Sequence, residues 1–189
     1  MSRSSEPLGA VLTSLSLLLL IIPWSLGGAY TAEEGAGDAH AGHGGPGEMS
    51  AGQFMAITIL FEENNWDADA GIVVAPDPGW MVMGGERMSM NPVYLAAYQW
   101  GYSPAEIQLE AGVEYQFRMM TMDVYHGASV STDSGSQMVR LIPGVVIEQR
   151  LTFDEPGEYT LYCSYYCGEQ HNGMSGKIVV VRNGAMNDG

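Results

Sequence analysis

Positive charge is almost missing from this chain. Lysine and arginine together number 7 among 189 residues, against 22 aspartates and glutamates, for a formal net charge of −15. A nucleic-acid binder needs basic clusters to neutralise phosphates, and that class is excluded. Lys177 is the one lysine, and Arg87 is the lone cation between residues 30 and 90. Such a surface suits a basic protein partner, whose approach it would steer, or a saline habitat. Cysteine is equally scarce. The two residues, Cys163 and Cys167, allow at most one disulfide, which would close a tiny loop and stabilise little. What remains is apolar: 46% hydrophobic residues can build a real core, and the length fits one domain with accessory segments.

Charge is wholly absent from Pro7 to Ala32, around the apolar stretch Leu15–Ile22. A helix needs about 20 apolar residues to span a bilayer, and this stretch is just long enough. Arg3 before it and carboxylates after it orient the N-terminus towards the cytoplasm. A cleaved signal peptide is the alternative, since Pro23 interrupts the run and Gly27-Gly28-Ala29 could form a cleavage site. Either way, everything after it lies outside the cytoplasm. The expectation is a single-pass anchor at residues 1–32 in the plasma membrane, with the C-terminal part on the periplasmic or extracellular side.

Residues 33–90 read as an acidic, glycine-rich linker and an accessory segment. His40 and His43 in the glycine tract are expected to be solvated spacer. Residues 54–61 form an apolar run too short to cross a membrane, and the sequence leaves helix and strand equally open. Met81, Met83, Met88 and Met90 follow. Thioethers can hold Cu(I), but adaptable hydrophobic filling is the expected role. From residue 91 to 183 the pattern is all-β. Val113, Tyr115, Phe117 and Met119 alternate with polar residues; Val145 to Phe153 and Tyr159 to Cys163 do the same, and Gly176–Arg182 reads as a strand buried on both faces. Turn formers at 110–112, 143–144 and 155–157 separate them. Short strands at this spacing indicate a Greek-key β-sandwich, and residues 184–189 are a tail.

Both cysteines fall in Cys163-x3-Cys167-x3-His171-x2-Met174, on a loop between two strands, with His126 upstream. Cysteine and methionine sulfur select soft ions such as copper, and imidazole completes such sites. A plain disulfide leaves the His and Met spacing unexplained. Zinc could use two thiolates and two imidazoles but has no use for Met174. A mononuclear blue-copper site needs one cysteine, two histidines and an axial methionine, which leaves a cysteine over. Two thiolates bridging two coppers leave nothing over.

These residues, with Asp123-Val124-Tyr125-His126-Gly127 and Pro156-Gly157-x-Tyr159 before them, resemble the dinuclear copper (CuA) domain of subunit II of heme-copper oxidases, a cupredoxin-like fold. The likeness covers about residues 93–182, and Gln99-Trp100-Gly101-Tyr102-Ser103-Pro104 is similar to the shorter, ba-type members. The resemblance implies that Cys163 and Cys167 bridge two copper ions, that His126 and His171 each cap one, and that Met174 and the carbonyl of Tyr165 are weak ligands. It implies that Trp100 is where electrons enter from cytochrome c or a small copper protein, and that heme-bearing subunit I receives them. Asp123 is a candidate to orient an imidazole or to dock a partner. Many members of the family carry a glutamate, a magnesium ligand, where this chain has Tyr165, so no magnesium contact is expected from this chain. No catalytic acid, base or nucleophile remains once these residues are assigned. A nitric oxide reductase subunit, or a free-standing copper carrier or chaperone, stays open as an alternative.

Overall fold

Strands make up most of the described chain, residues 49–132 and 135–184 of a computed structural model. The expected anchor, the glycine tract with His40 and His43, and the tail after residue 184 lie outside the described residues. Among the described residues, no helix is long and apolar enough to cross a membrane. In chain order the elements are α1 (Ala51–Asn65), β1 (Trp66–Asp67), β2 (Ile72–Val74), β3 (Trp80–Met83), β4 (Glu86–Ser89), β5 (Val93–Tyr98) and β6 (Gly101–Ser103). They continue with β7 (Glu106–Glu110), β8 (Glu114–Thr121), β9 (His126–Thr132), β10 (Gly135–Leu141), β11 (Ile147–Thr152), β12 (Gly157–Tyr162) and β13 (Ser175–Val181).

Two sheets share one core. The larger has the order β1-β2-β7-β13-β12-β9-β10, the smaller β11-β8-β5-β6, and β3-β4 is a separate hairpin. Leu95, Phe117, Met119 and Leu151 of the smaller sheet meet Ile107, Leu109, Val130, Leu161, Ile178 and Val180 of the larger in a single buried cluster. Each fully buried side chain of this kind stabilises the fold by about 1.5–3 kcal/mol relative to exposure. The mostly β, two-sheet sandwich anticipated from the alternating pattern is thus present. β8 alternates with Tyr115, Phe117 and Met119 inward, but Gln116 and Met120 on its other face are also buried. Gln116 spans to the hairpin, its Oε1 accepting from the Ser89 amide at 2.7 Å.

Several elements depart from the expected layout. The segment read as linker and accessory piece contains α1 and β1–β4, and β2 runs parallel to β7 as a member of the larger sheet. Three residues are too few for an alternation to be legible. The undecided run 54–61 is helical. Ser50 caps α1, its hydroxyl accepting from the Gln53 amide at 3.2 Å while the Gln53 side chain accepts from the Ser50 amide at 2.9 Å. Phe54, Thr58 and Phe61 lie buried along one side of α1, and both phenylalanines pack on the Tyr94 ring of β5. The methionines do not fill the core: Met81 and Met88 pair across the β3–β4 hairpin, and Met83 and Met90 are about three-fifths exposed, at 58% and 60%. β11 starts at Ile147, leaving Val145 exposed ahead of it. β13 is buried on one face only, through Ile178 and Val180, and half-buried on the other.

Candidate metal centre

Three connections meet at one end of the sandwich: the β5–β6 turn with Gln99 and Trp100, the β8–β9 turn with Asp123, and the long β12–β13 loop, residues 163–174. Hydrogen bonds join all three. The Gln99 amide donates to Asp123 Oδ2 at 2.7 Å, and Gln99 Nε2 donates to the Cys167 carbonyl at 2.6 Å. Three of the ligand candidates sit at the ends of strands, where ladder bonds fix the backbone. His126 opens β9, Cys163 follows β12, and Met174 precedes β13. The Cys163 amide donates to the Met174 carbonyl at 3.2 Å, closing the base of the loop. Gly127 lets this loop come close, since a Cβ there would stand 2.6 Å from the Ser164 backbone nitrogen.

Within this frame the two thiols lie 3.7 Å apart at the centre. On one side, Cys163 Sγ is 3.8 Å from His126 Nδ1 and 3.0 Å from the Tyr165 carbonyl oxygen. On the other, Cys167 Sγ is 3.6 Å from His171 Nδ1 and 3.7 Å from Met174 Sδ. His126 is fully buried, and Cys163, Cys167 and Met174 nearly so. The ligand atoms of His126, Cys163 and Cys167 all lie within 4.8 Å of one another. Two ligand atoms on one tetrahedral ion, with bonds of about 2.3 Å to sulfur and about 2.0 Å to nitrogen, stand about 3.6 Å apart. The sulfur–nitrogen and sulfur–sulfur separations match that spacing, and the thiol, imidazole and thioether set suits a soft ion. The residues fit copper.

Electrostatics prepare the group. Burial, then the neighbouring Cys163 thiol, then Asp123, push the Cys167 thiol up to about 11, so without a metal it stays protonated at neutral pH. Burial alone would raise the Asp123 carboxyl, but bonds from the Gln99 amide, His126 and the Val124 amide outweigh it and hold it below the ordinary range. His126 Nε2 lies 2.8 Å from Asp123 Oδ1. An ionised carboxylate only accepts, so Nε2 carries a ring proton, and Nδ1 is the nitrogen that faces Cys163.

Tyr165 divides its roles: its carbonyl faces Cys163, while its half-exposed ring lies beside Tyr125, 5.7 Å between centroids, under the Arg140 guanidinium. Trp100 is half-buried and packs on the core. It lies against Gly168, where a Cβ would meet its Nε1 at 3.3 Å. That indole nitrogen is buried without a hydrogen-bond partner. Sequence reasoning missed three residues here. Gln99 ties the loops together, Gly127 admits Ser164, and Ser129 holds the Ser164 hydroxyl at 2.6 Å. Gln99 and Gly127 stand in sequence beside Trp100 and His126, while Ser129, three residues past His126, carries no sequence signal.

No family model matches the chain. Cytochrome c oxidase subunit 2 of Thermus thermophilus is 34% identical over 136 residues, which cover 71% of this chain and 92% of that protein. A second cytochrome c oxidase subunit 2 from the same species is also 34% identical over 136 residues, covering 71% of this chain and 74% of that one. Among solved structures, a chain of a heme-copper terminal oxidase dimer aligns with 32% identity and a TM-score of 0.42, over 47% of this chain and 63% of that one. The periplasmic domain of cytochrome oxidase subunit II from Bradyrhizobium japonicum aligns with 18% identity and a TM-score of 0.42, over 49% and 85%. At 34% identity over nearly the whole of the first of these relatives, the chain belongs to the cytochrome c oxidase subunit 2 family.

Proposed function

We propose that this chain carries electrons through a dinuclear copper centre to the heme-bearing subunit I of a terminal oxidase, where oxygen is reduced. One observation carries the reading: two buried thiols 3.7 Å apart, each with its own imidazole and one further weak donor. A bound copper pair supplies a site that takes up and releases one electron with little change of geometry. Cys163 and Cys167 would hold the pair from the centre, His126 and His171 would hold it from either side, and Met174 and the Tyr165 carbonyl would be its weaker donors. Asp123 fixes the His126 ring, which keeps its coordinating nitrogen aimed inward. The buried setting excludes water from His126 and both thiols. Trp100, lying against the residue after Cys167, is the point where electrons enter from cytochrome c or a small copper protein. The N-terminal residues 1–32 anchor the chain in the plasma membrane, with residues 91–183 as the copper domain on the periplasmic or extracellular side.

The test is electron paramagnetic resonance on the copper-loaded full chain, with copper-to-protein stoichiometry on the same sample. Hyperfine splitting from an electron shared by two coppers, at two coppers per chain, is expected. Splitting from one copper, or no retained copper, would overturn the dinuclear reading.

A further inference from the structure

Gln99 touches both halves of the metal centre. Its backbone amide donates to Asp123 Oδ2 at 2.7 Å, and Asp123 Oδ1 stands 2.8 Å from His126 Nε2. Its side-chain Nε2 donates to the Cys167 carbonyl at 2.6 Å, in the loop that also carries His171 and Met174. One donor, His126, arrives at the start of β9, just past the β8–β9 turn. The others arrive from the β12–β13 loop. Those two segments meet directly through the Gly127 amide and Cys163 Sγ at 3.4 Å and through Ser129 and Ser164, both on the Cys163 side. On the Cys167 side, the hydrogen bond from Gln99 supplies the link.

The fit is close. Gly168 has φ of 120°, and a Cβ there would lie 3.1 Å from Gln99 Nε2 and 3.3 Å from Trp100 Nε1. The loop therefore lies flat against the Gln99–Trp100 turn at the residue next to Cys167. The side-chain amide that reaches Cys167 is a donor that no apolar side chain of that length could replace.

We infer that Gln99 is a positioning residue for the copper centre: its side-chain amide holds the Cys167 half of the ligand set in register with the Asp123–His126 half. The inference rests on the dinuclear reading, and it adds a residue outside the ligand set on which the sharing of the electron between the two metals depends. It also explains why Trp100 keeps a fixed place against the ligand loop, because the residue before it is bonded to both sides.

Three versions of the full chain in detergent test this: the unaltered protein, Gln99→Leu, which removes the amide at similar volume, and Gln99→Glu, which keeps the shape and replaces the donor with an acceptor. The backbone bond to Asp123 survives in both variants. Loss of an outer partner of this kind weakens metal binding by about 10- to 100-fold, so both variants are expected to lose copper about 10- to 100-fold faster. Their hyperfine pattern is expected to move away from equal sharing, with the metal-free melting temperature falling by no more than the few degrees that one lost hydrogen bond costs. A copper-independent readout accompanies this: alkylation of the two buried thiols in the metal-free chain should speed up about 3- to 10-fold, the population change expected from losing one buried hydrogen bond. Wild-type copper retention and spectrum in Gln99→Leu would overturn the inference. So would a fall in metal-free melting temperature that accounts for the whole loss, since that is a merely structural role. If the unaltered chain itself fails to bind two coppers, the dinuclear reading fails and the alkylation comparison alone decides whether Gln99 clamps the loop.

Discussion

His126 shows how much one residue's surroundings decide. A histidine in a turn after a strand is ordinarily a surface group; here it is fully buried, with Nε2 on Asp123 and Nδ1 turned to Cys163. The glycine that follows it is required by space rather than by backbone angle. Gly127→Ala would drive a methyl into the Ser164 backbone, and backbone cannot swing aside as a side chain can. Overpacking of this kind costs about 1–3 kcal/mol. We expect a loss of that size in denaturant unfolding of the metal-free chain, together with poorer copper retention; an unchanged midpoint would show that the β12–β13 loop moves freely. Two buried phenols make a separate prediction. Burial raises both Tyr102 and Tyr115 above the ordinary 10.0, and the Tyr102 hydroxyl donates to the Gly127 carbonyl. A raised folded-state value means their contribution is complete below pH 10 and is lost as pH rises beyond it. Chemical denaturation of the metal-free chain between pH 8 and about 12 should show stability falling from about 9, where the unfolded Cys167 thiol ionises, and more steeply above about 10, where the tyrosines join it. Tyr102→Phe should flatten that fall, at a cost of about 1–3 kcal/mol at neutral pH for the stranded carbonyl.

At the scale of elements, the pieces easiest to read were those with one wet face. β8 and β12 lie where their alternation puts them, although β8 buries polar Gln116 as well. β9 was illegible because His126–Thr132 is built mostly from small residues buried on both faces, which breaks the period of two. β10 was illegible for the opposite reason, being an edge strand exposed along most of its length. α1 carries a capping box, yet apolar residues surround it, so no single apolar stripe marks it as a helix. Its docking rests on Phe54, fully buried against Met120 and Tyr94. Phe54→Ala should destabilise the chain by about 3–5 kcal/mol, as a buried aromatic truncation does. A cost below about 1 kcal/mol, read from denaturant midpoints, would show that α1 packs only loosely on β5.

At the scale of the whole molecule, the chain is a subunit of an oxidoreductase complex, since it belongs to the cytochrome c oxidase subunit 2 family. Its charge of −15 bears on association, not on fold. If the acidity serves partner recognition, reduction of the copper-loaded chain by a basic cytochrome c should slow about 10-fold or more between about 10 and 150 mM salt, as screening shortens from about 30 to about 8 Å. A rate independent of salt would assign the acidity to solubility. Two features of the molecule were legible without coordinates: that it folds as a β-sandwich, and that both thiols, His171 and Met174 share one loop. Alternation and local spacing carry that information, because each depends on residues close in sequence. The tertiary structure alone decided that β2 completes the larger sheet, that α1 covers β5, and that Gln99, 68 residues before Cys167, bonds to it. Contacts of that kind depend on where three separate turns converge, and no local pattern in the sequence encodes the meeting point of segments that far apart.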